Sequence, residues 1–149
     1  MIIETKNKKI NLVLRTRKLA DIAKRLKGEN FENVYFNALK DNNLEALSII
    51  IYILAENEDK TNSFKNNDEV YDFIDDYILE NKKGYSQIFA EMAEAINEEG
   101  FFNRKMTKAE LKEKISNPLS AVNMNDIIKN SAEKAITAVA EKEFQGYKA

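Results

Sequence analysis

Leu44-Glu45-Ala46-Leu47-Ser48-Ile49-Ile50-Ile51-Tyr52-Ile53-Leu54 is the stretch that decides the fold. Wound as an α-helix, it carries Ala46, Leu47, Ile49, Ile50, Ile51, Ile53 and Leu54 around nearly its whole circumference. A helix without a polar stripe is one that other elements surround. The isoleucine run by itself also suits a buried strand. A length of about fourteen residues, counted to Asn57, and the capping amide of Asn43 favour a helix.

The neighbours of this segment are amphipathic. On the N-terminal side, Asn30 caps a helix whose apolar face is Phe31, Val34, Tyr35, Ala38 and Leu39, with Phe36 falling outside that face. Before it, Thr16 is positioned to cap a helix bearing Leu19, Ile22, Ala23 and Leu26, and Gly28 suits a left-handed stop. Ile10, Leu12 and Leu14 alternate with Asn11 and Val13, so with Ile2-Ile3 they predict a hairpin turning at Lys6-Asn7-Lys8, where Asn7 tolerates positive φ. Two strands alone are marginal, so the hairpin must lean on helices.

On the C-terminal side, a polar loop from Glu56 to Asn67 leads to a helix from Asp68 to about Asn81, with Val70, Phe73, Ile74, Tyr77 and Ile78 on one face. Past Gly84, Tyr85, Ile88, Phe89, Met92 and Ile96 form the face of the next helix, which stops at Gly100. The short link predicts that these two pack antiparallel. Thr107-Lys108-Ala109-Glu110 is a capping box, with Met106 and Leu111 as its staple, and Asn117-Pro118 ends that helix. A last, alanine-rich helix is expected from about Asn123, carrying Met124, Ile127, Ile128, Ala135, Ile136, Val139 and Phe144. The predicted fold is mostly α: a small N-terminal β-hairpin packed on a multi-helix bundle, with a C-terminal helical extension. Residues 1–103 are expected to form the compact domain. Residues 104–149 form the extension, which docks in cis or on a neighbouring copy.

Composition excludes much chemistry. The chain of 149 residues has no cysteine and no histidine. Disulfides, thiolate nucleophiles, iron–sulfur clusters and histidine bases are therefore ruled out. The net charge of −2 hides segregation: residues 1–27 sum to +7, residues 28–100 to −12 and residues 101–149 to +3. Such blocks suit head-to-tail association between copies, and so a possible homo-oligomer, or simply a basic edge on a small domain. Met1-Ile2-Ile3-Glu4 is too short for an apolar leader and no run spans a bilayer, so a cytoplasmic protein with no membrane partner is expected.

The strongest enzymatic candidate is the acidic set Asp68, Glu69, Asp72, Asp75, Asp76 and Glu80, with a second pair in Glu91 and Glu94. Asp72 and Asp75 share a helix surface, and all-α, magnesium-dependent nucleotide pyrophosphohydrolases use carboxylate pairs of that spacing. The same acids are better explained as the wet side of a helix whose other face is Val70, Phe73, Ile74 and Tyr77. Lys6, Lys8, Lys9, Arg15, Arg17 and Lys18 suit phosphates, which would make a small basic nucleic-acid-binding regulator. Residues 1–30 contain no aromatic for stacking, so no nucleic-acid partner is expected. A binding protein with no catalytic, metal or cofactor site is the expectation. Phe36, Phe101, Phe102, Arg15, Arg17 and Lys18 are its candidate partner-binding residues.

The order of elements carries a resemblance. A hairpin precedes Leu14-Arg15-Thr16-Arg17-Lys18-Leu19-Ala20-Asp21-Ile22-Ala23-Lys24-Arg25-Leu26-Lys27-Gly28; the apolar helix Leu44 to Ala55 follows, then Asp68-Glu69-Val70-Tyr71-Asp72-Phe73-Ile74-Asp75-Asp76-Tyr77. This resembles the tail assembly chaperones of long-tailed phages and prophages of low-GC Gram-positive bacteria. The likeness spans roughly residues 5–100 and is one of pattern. It implies a protein that coats the long helical tape-measure protein, keeps it soluble and recruits tail-tube protein before leaving the finished tail. Members of that family are also made as longer frameshifted products.

Overall fold

The computed structural model describes residues 1–116. Along them run β1 (Ile2–Glu4), β2 (Lys9–Asn11), α1 (Thr16–Arg25), α2 (Phe31–Asp41), α3 (Leu44–Leu54), α4 (Asn67–Asn81), α5 (Tyr85–Glu98) and α6 (Lys108–Ser116). The fold is mostly helical with one small antiparallel hairpin, as the periodicities predict.

α3 lies at the centre. Leu47 and Ile50 are fully buried, Ile51 and Leu54 nearly so, and α1, α2 and α4 pack against it. Burial of each such side chain contributes about 1.5–3 kcal/mol. Ser48 is buried as well, and its hydroxyl donates to the Glu45 carbonyl at 2.7 Å, so no donor is stranded.

The hairpin pairs Ile3 with Ile10, and both side chains are buried. Its second strand then continues onto the end of α3: the Val13 amide donates to the Leu54 carbonyl at 2.9 Å and the Glu56 amide to Asn11 at 3.0 Å. That pairing anchors two otherwise marginal strands. The turn does not use Asn7 in a left-handed conformation; among non-glycine residues positive φ occurs at Lys27, Asn42, Lys60 and Lys82. Buried Thr5 shapes it instead, its hydroxyl accepting from the amides of Asn7 (3.3 Å) and Lys8 (3.1 Å).

Asparagine starts three of the helices. Asn30, Asn43 and Asn66 accept the amides of Asn33, Ala46 and Glu69 at 2.9, 3.0 and 3.1 Å, each worth about 1 kcal/mol. α1 differs from expectation at both ends. Thr16 is already helical, and Arg15 holds the cap position in extended conformation without a side-chain cap bond. At the other end Lys27, not Gly28, takes the left-handed position (φ 58°), while the Gly28 amide reaches back to Ala23 at 3.0 Å. Gly28 is needed for closeness: a Cβ there would lie 2.0 Å from Cγ1 of Val34 on α2.

Phe36 is the clearest correction. It is 1% exposed rather than outside the buried face of α2. The reason is the segment after α5, which covers the flank of α2 that a five-helix domain would leave open: the Phe102 ring packs tilted at 37° against Phe36 with centroids 5.1 Å apart, and the Lys114 ammonium sits 4.8 Å over the Phe36 ring. Met1–Ile115 forms one compact unit, running past the boundary at residue 103 read from the sequence. The Glu56–Asn67 loop is also less polar than expected, since Phe64 is buried edge-on against Phe73 at 5.7 Å. Asn117-Pro118 and the helix expected from about Asn123 lie outside the described residues.

Candidate partner-binding surfaces

The basic entry to α1 is engaged within the domain. Arg15 makes two parallel bonds to the Glu56 carboxylate (Nε to Oε1 3.0 Å, Nη2 to Oε2 2.6 Å), and Lys18 Nζ reaches Oε1 at 2.7 Å. Lys18 also donates to the Val13 and Leu54 carbonyls at 3.2 Å each, satisfying the C-terminal end of α3 with a cation. The Glu56 side chain is only 8% exposed. The hydrogen bond from Arg15, followed by that from Lys18, holds its carboxyl down at about 2. This arrangement staples hairpin, α1 and α3 together. Lys18 is thereby withdrawn from any partner, Arg15 keeps a half-exposed side chain tied to Glu56, and Arg17 stays on the surface.

The aromatic candidates divide. Phe36 and Phe102 belong to an interior cluster with Phe31, Tyr35 and Phe89, with ring centroids 5.1–6.1 Å apart. They are unavailable to a partner. Tyr35 donates its hydroxyl to the Phe89 carbonyl, and burial pushes its phenol well above the ordinary value, so it remains a donor. Phe101 alone stays half-buried, at the mouth of a groove against Leu19, Ala20 and Ala23 of α1.

On α4, Asp72 and Asp75 are exposed. Among the described residues no group of three or more carboxylates lies close enough to hold a metal ion. Glu69 bonds the Lys65 amide at 2.8 Å and Glu80 bonds the Lys6 amide at 3.0 Å, so part of the acidic set has local structural work. Glu91 is taken by Lys83 at 2.6 Å.

A groove of about 810 Å³ between α5 and α6 was not foreseen. Ala90, Ala95, Leu111 and Ile115 line it, with Met1 beside them. Its α5 rim carries Glu91, Glu94 and Glu98, and its α6 rim carries Lys108 and Lys112. The groove exists because α6 is held at a distance by the chain around Phe102 and Met106. Buried Asn97 clamps Met106 from both sides, donating to its carbonyl (3.0 Å) and accepting its amide (2.9 Å). The expected capping box forms, with Thr107 Oγ1 accepting the Glu110 amide at 3.1 Å and Glu110 accepting the Thr107 amide at 2.9 Å. Arg104 also bonds Glu110, at 3.0 Å, which draws that carboxyl down to about 2. Glu32 on α2 grips Lys114 at 2.6 Å and the Asn103 amide at 2.9 Å. The signal for this groove was present in the sequence as same-face spacings, 91–94–98 and 108–112, but only the closeness of α6 to α5 makes them two sides of one feature. Comparison with protein families, with curated proteins and with solved structures finds no match to this chain.

Proposed function

We propose that this chain is a tail assembly chaperone: a non-enzymatic binding protein of the host cytoplasm. It holds the tape-measure protein of a phage tail in solution and helps recruit tail-tube subunits. The observation that carries this reading is the sequence pattern of hairpin, Leu14-to-Gly28 helix, apolar Leu44-to-Ala55 helix and acidic Asp68-to-Tyr77 helix. Three features support it. Cysteine and histidine are absent, and the carboxylates of α4 serve as helix surface or local bonds. The domain is stapled internally by Glu56 and Glu32, which leaves its exposed grooves as the places where other chains can sit. Among the described residues no helix is long and apolar enough to cross a membrane.

Co-expression with a helical segment of a tape-measure protein tests the proposal. The expected result is that the segment moves from the pellet to the soluble fraction and co-purifies with this chain. A segment that stays insoluble, or that is rescued equally by an unrelated helical protein of similar charge, refutes it.

A further inference from the structure

We propose that the groove between α5 and α6 is the seat of a client helix, an amphipathic α-helix of another protein, and that its two charged walls set the direction in which that helix lies. The inference rests on the chaperone reading for the client's identity, but the groove's chemistry stands apart from it.

The floor is apolar: Ala90 and Ala95 from α5, Leu111 and Ile115 from α6. Two alanines keep the floor low, so a helix can approach closely while its larger apolar side chains fill the space. The volume of about 810 Å³ lies in the range of built ligand sites, roughly 300–1,000 Å³. An amphipathic helix fits such a trough through residues spaced i, i+4, i+7.

The walls differ in sign. Glu94 and Glu98 are exposed on one side, Lys108 and Lys112 on the other. Among the described residues Glu94, Lys108 and Lys112 make no ion pair, and Glu98 meets only Lys105, at 3.8 Å. A helix whose apolar stripe is flanked by cations on one edge and anions on the other complements both walls in one direction only. Turned end for end, it sets like charges against each other. The groove is also preformed. The Asn97–Met106 clamp, the Thr107–Glu110 box and the Glu32–Lys114 bridge fix α6 before any partner arrives, which lowers the ordering cost of binding.

The probe is a designed helical peptide of about five turns, with a Leu/Ala stripe, lysines along one edge and glutamates along the other. It carries an N-terminal photo-crosslinker and a fluorophore, and is titrated against the full chain. Binding is expected at low salt, weakened at least five-fold by E94K/E98K and weakened further by added salt. Exchanging both walls, E94K/E98K/K108E/K112E, is expected to restore affinity and to move the crosslink to the opposite end of the groove. All four positions are exposed, and thermal melts of each variant confirm that it folds. The inference is overturned if affinity is indifferent to the wall substitutions or if the crosslink does not move. It is equally overturned if the crosslink falls outside the groove, residues 117–149 of the same chain included.

A second arm uses the tape-measure segment. If wild type and E94K/E98K keep it equally soluble, the groove is not the client seat while the chaperone reading survives. If wild type fails to keep it soluble, the chaperone reading falls and the peptide arm alone decides the groove.

Discussion

Replacing Asn97 by alanine should loosen α6 without loosening the core. Asn97 is 6% exposed, and its amide satisfies both the N–H and the C=O of Met106. Each bond is worth about 0.5–1.5 kcal/mol net, and truncation also strands two peptide groups that burial at Met106 keeps from water. The combined cost is about 2–4 kcal/mol, and it falls on the attachment of α6, because both bonds run from α5 to Met106 at the entry to α6. Native-state amide exchange reads this directly. Protection in Leu111–Ile115 should fall roughly 30- to 700-fold, at about 1.4 kcal/mol per factor of ten, while Leu47–Leu54 exchanges at its former rate under conditions that report local opening. If α6 amides change by less than ten-fold, or if α3 amides accelerate by the same factor, then α6 is not a separately attached wall. The preformed groove would fail with it.

Three further outcomes follow from particular contacts. Gly28→Ala should destabilise by about 1–3 kcal/mol in urea melts, because its Cβ would meet Val34 at 2.0 Å. In a Val34→Ala background the same change should instead stabilise by about 0.4–1 kcal/mol, since Gly28 has no positive φ and only the unfolded chain loses freedom; the same sign in both backgrounds would rule out the steric account. The Glu56 carboxyl sits at about 2 against 4.5 when unpaired, so its stabilisation is complete above pH 4.5 and lost as pH falls through about 2. Glu56→Gln should therefore flatten the acid limb of melting temperature against pH, and an unchanged limb would mean that the Arg15–Lys18 staple contributes nothing. Magnesium should leave the melting temperature of the wild type unmoved; a rise abolished by Asp72→Asn or Asp75→Asn would favour the nucleotide-hydrolase alternative.

The core was legible because its signal is local. The all-round apolar face of α3, the Asn30 and Asn43 caps and the Thr107 box each depend on residues within one or two turns, and each appears as read. Phe36 was misplaced for a non-local reason. A helical wheel ranks it as peripheral to α2, and nothing near it in sequence announces that Phe102 and Lys114 return to cover it. Gly28 was assigned the right consequence, the end of α1, for the wrong cause. Its steric partner Val34 lies on the next helix, and Lys27 can itself adopt the left-handed conformation. The groove was illegible for the same reason as Phe36, since its walls come from helices separated by the Gly100–Thr107 connection.

The charge blocks change meaning once the chain is folded. Read along the sequence, a basic start, an acidic middle and a basic end suggest copies stacking on one another. In the domain, many of those charges meet within one chain. Arg15 and Lys18 from the first block hold Glu56 of the second, while Lys105 and Lys114 from the third meet Glu98 and Glu32 of the second. The segregation therefore fastens the hairpin and α6 to the α2–α5 body, with opposite charges supplied by segments distant in sequence. Glu56 and Glu32 matter most here, since each is largely screened from water and gathers more than one donor. Among the described residues, the charges left exposed for other molecules include Arg17, Lys24 and Lys27 on and after α1, Asp72 and Asp75 on α4, and the two groove walls. Of these only the walls face each other across an apolar floor, where charge can be read together with shape. Association driven by scattered surface charges alone would be weak and salt-sensitive. The client helix proposed for this groove would be held in one direction by such a pairing, since the facing walls of α5 and α6 present opposite charge along one apolar floor.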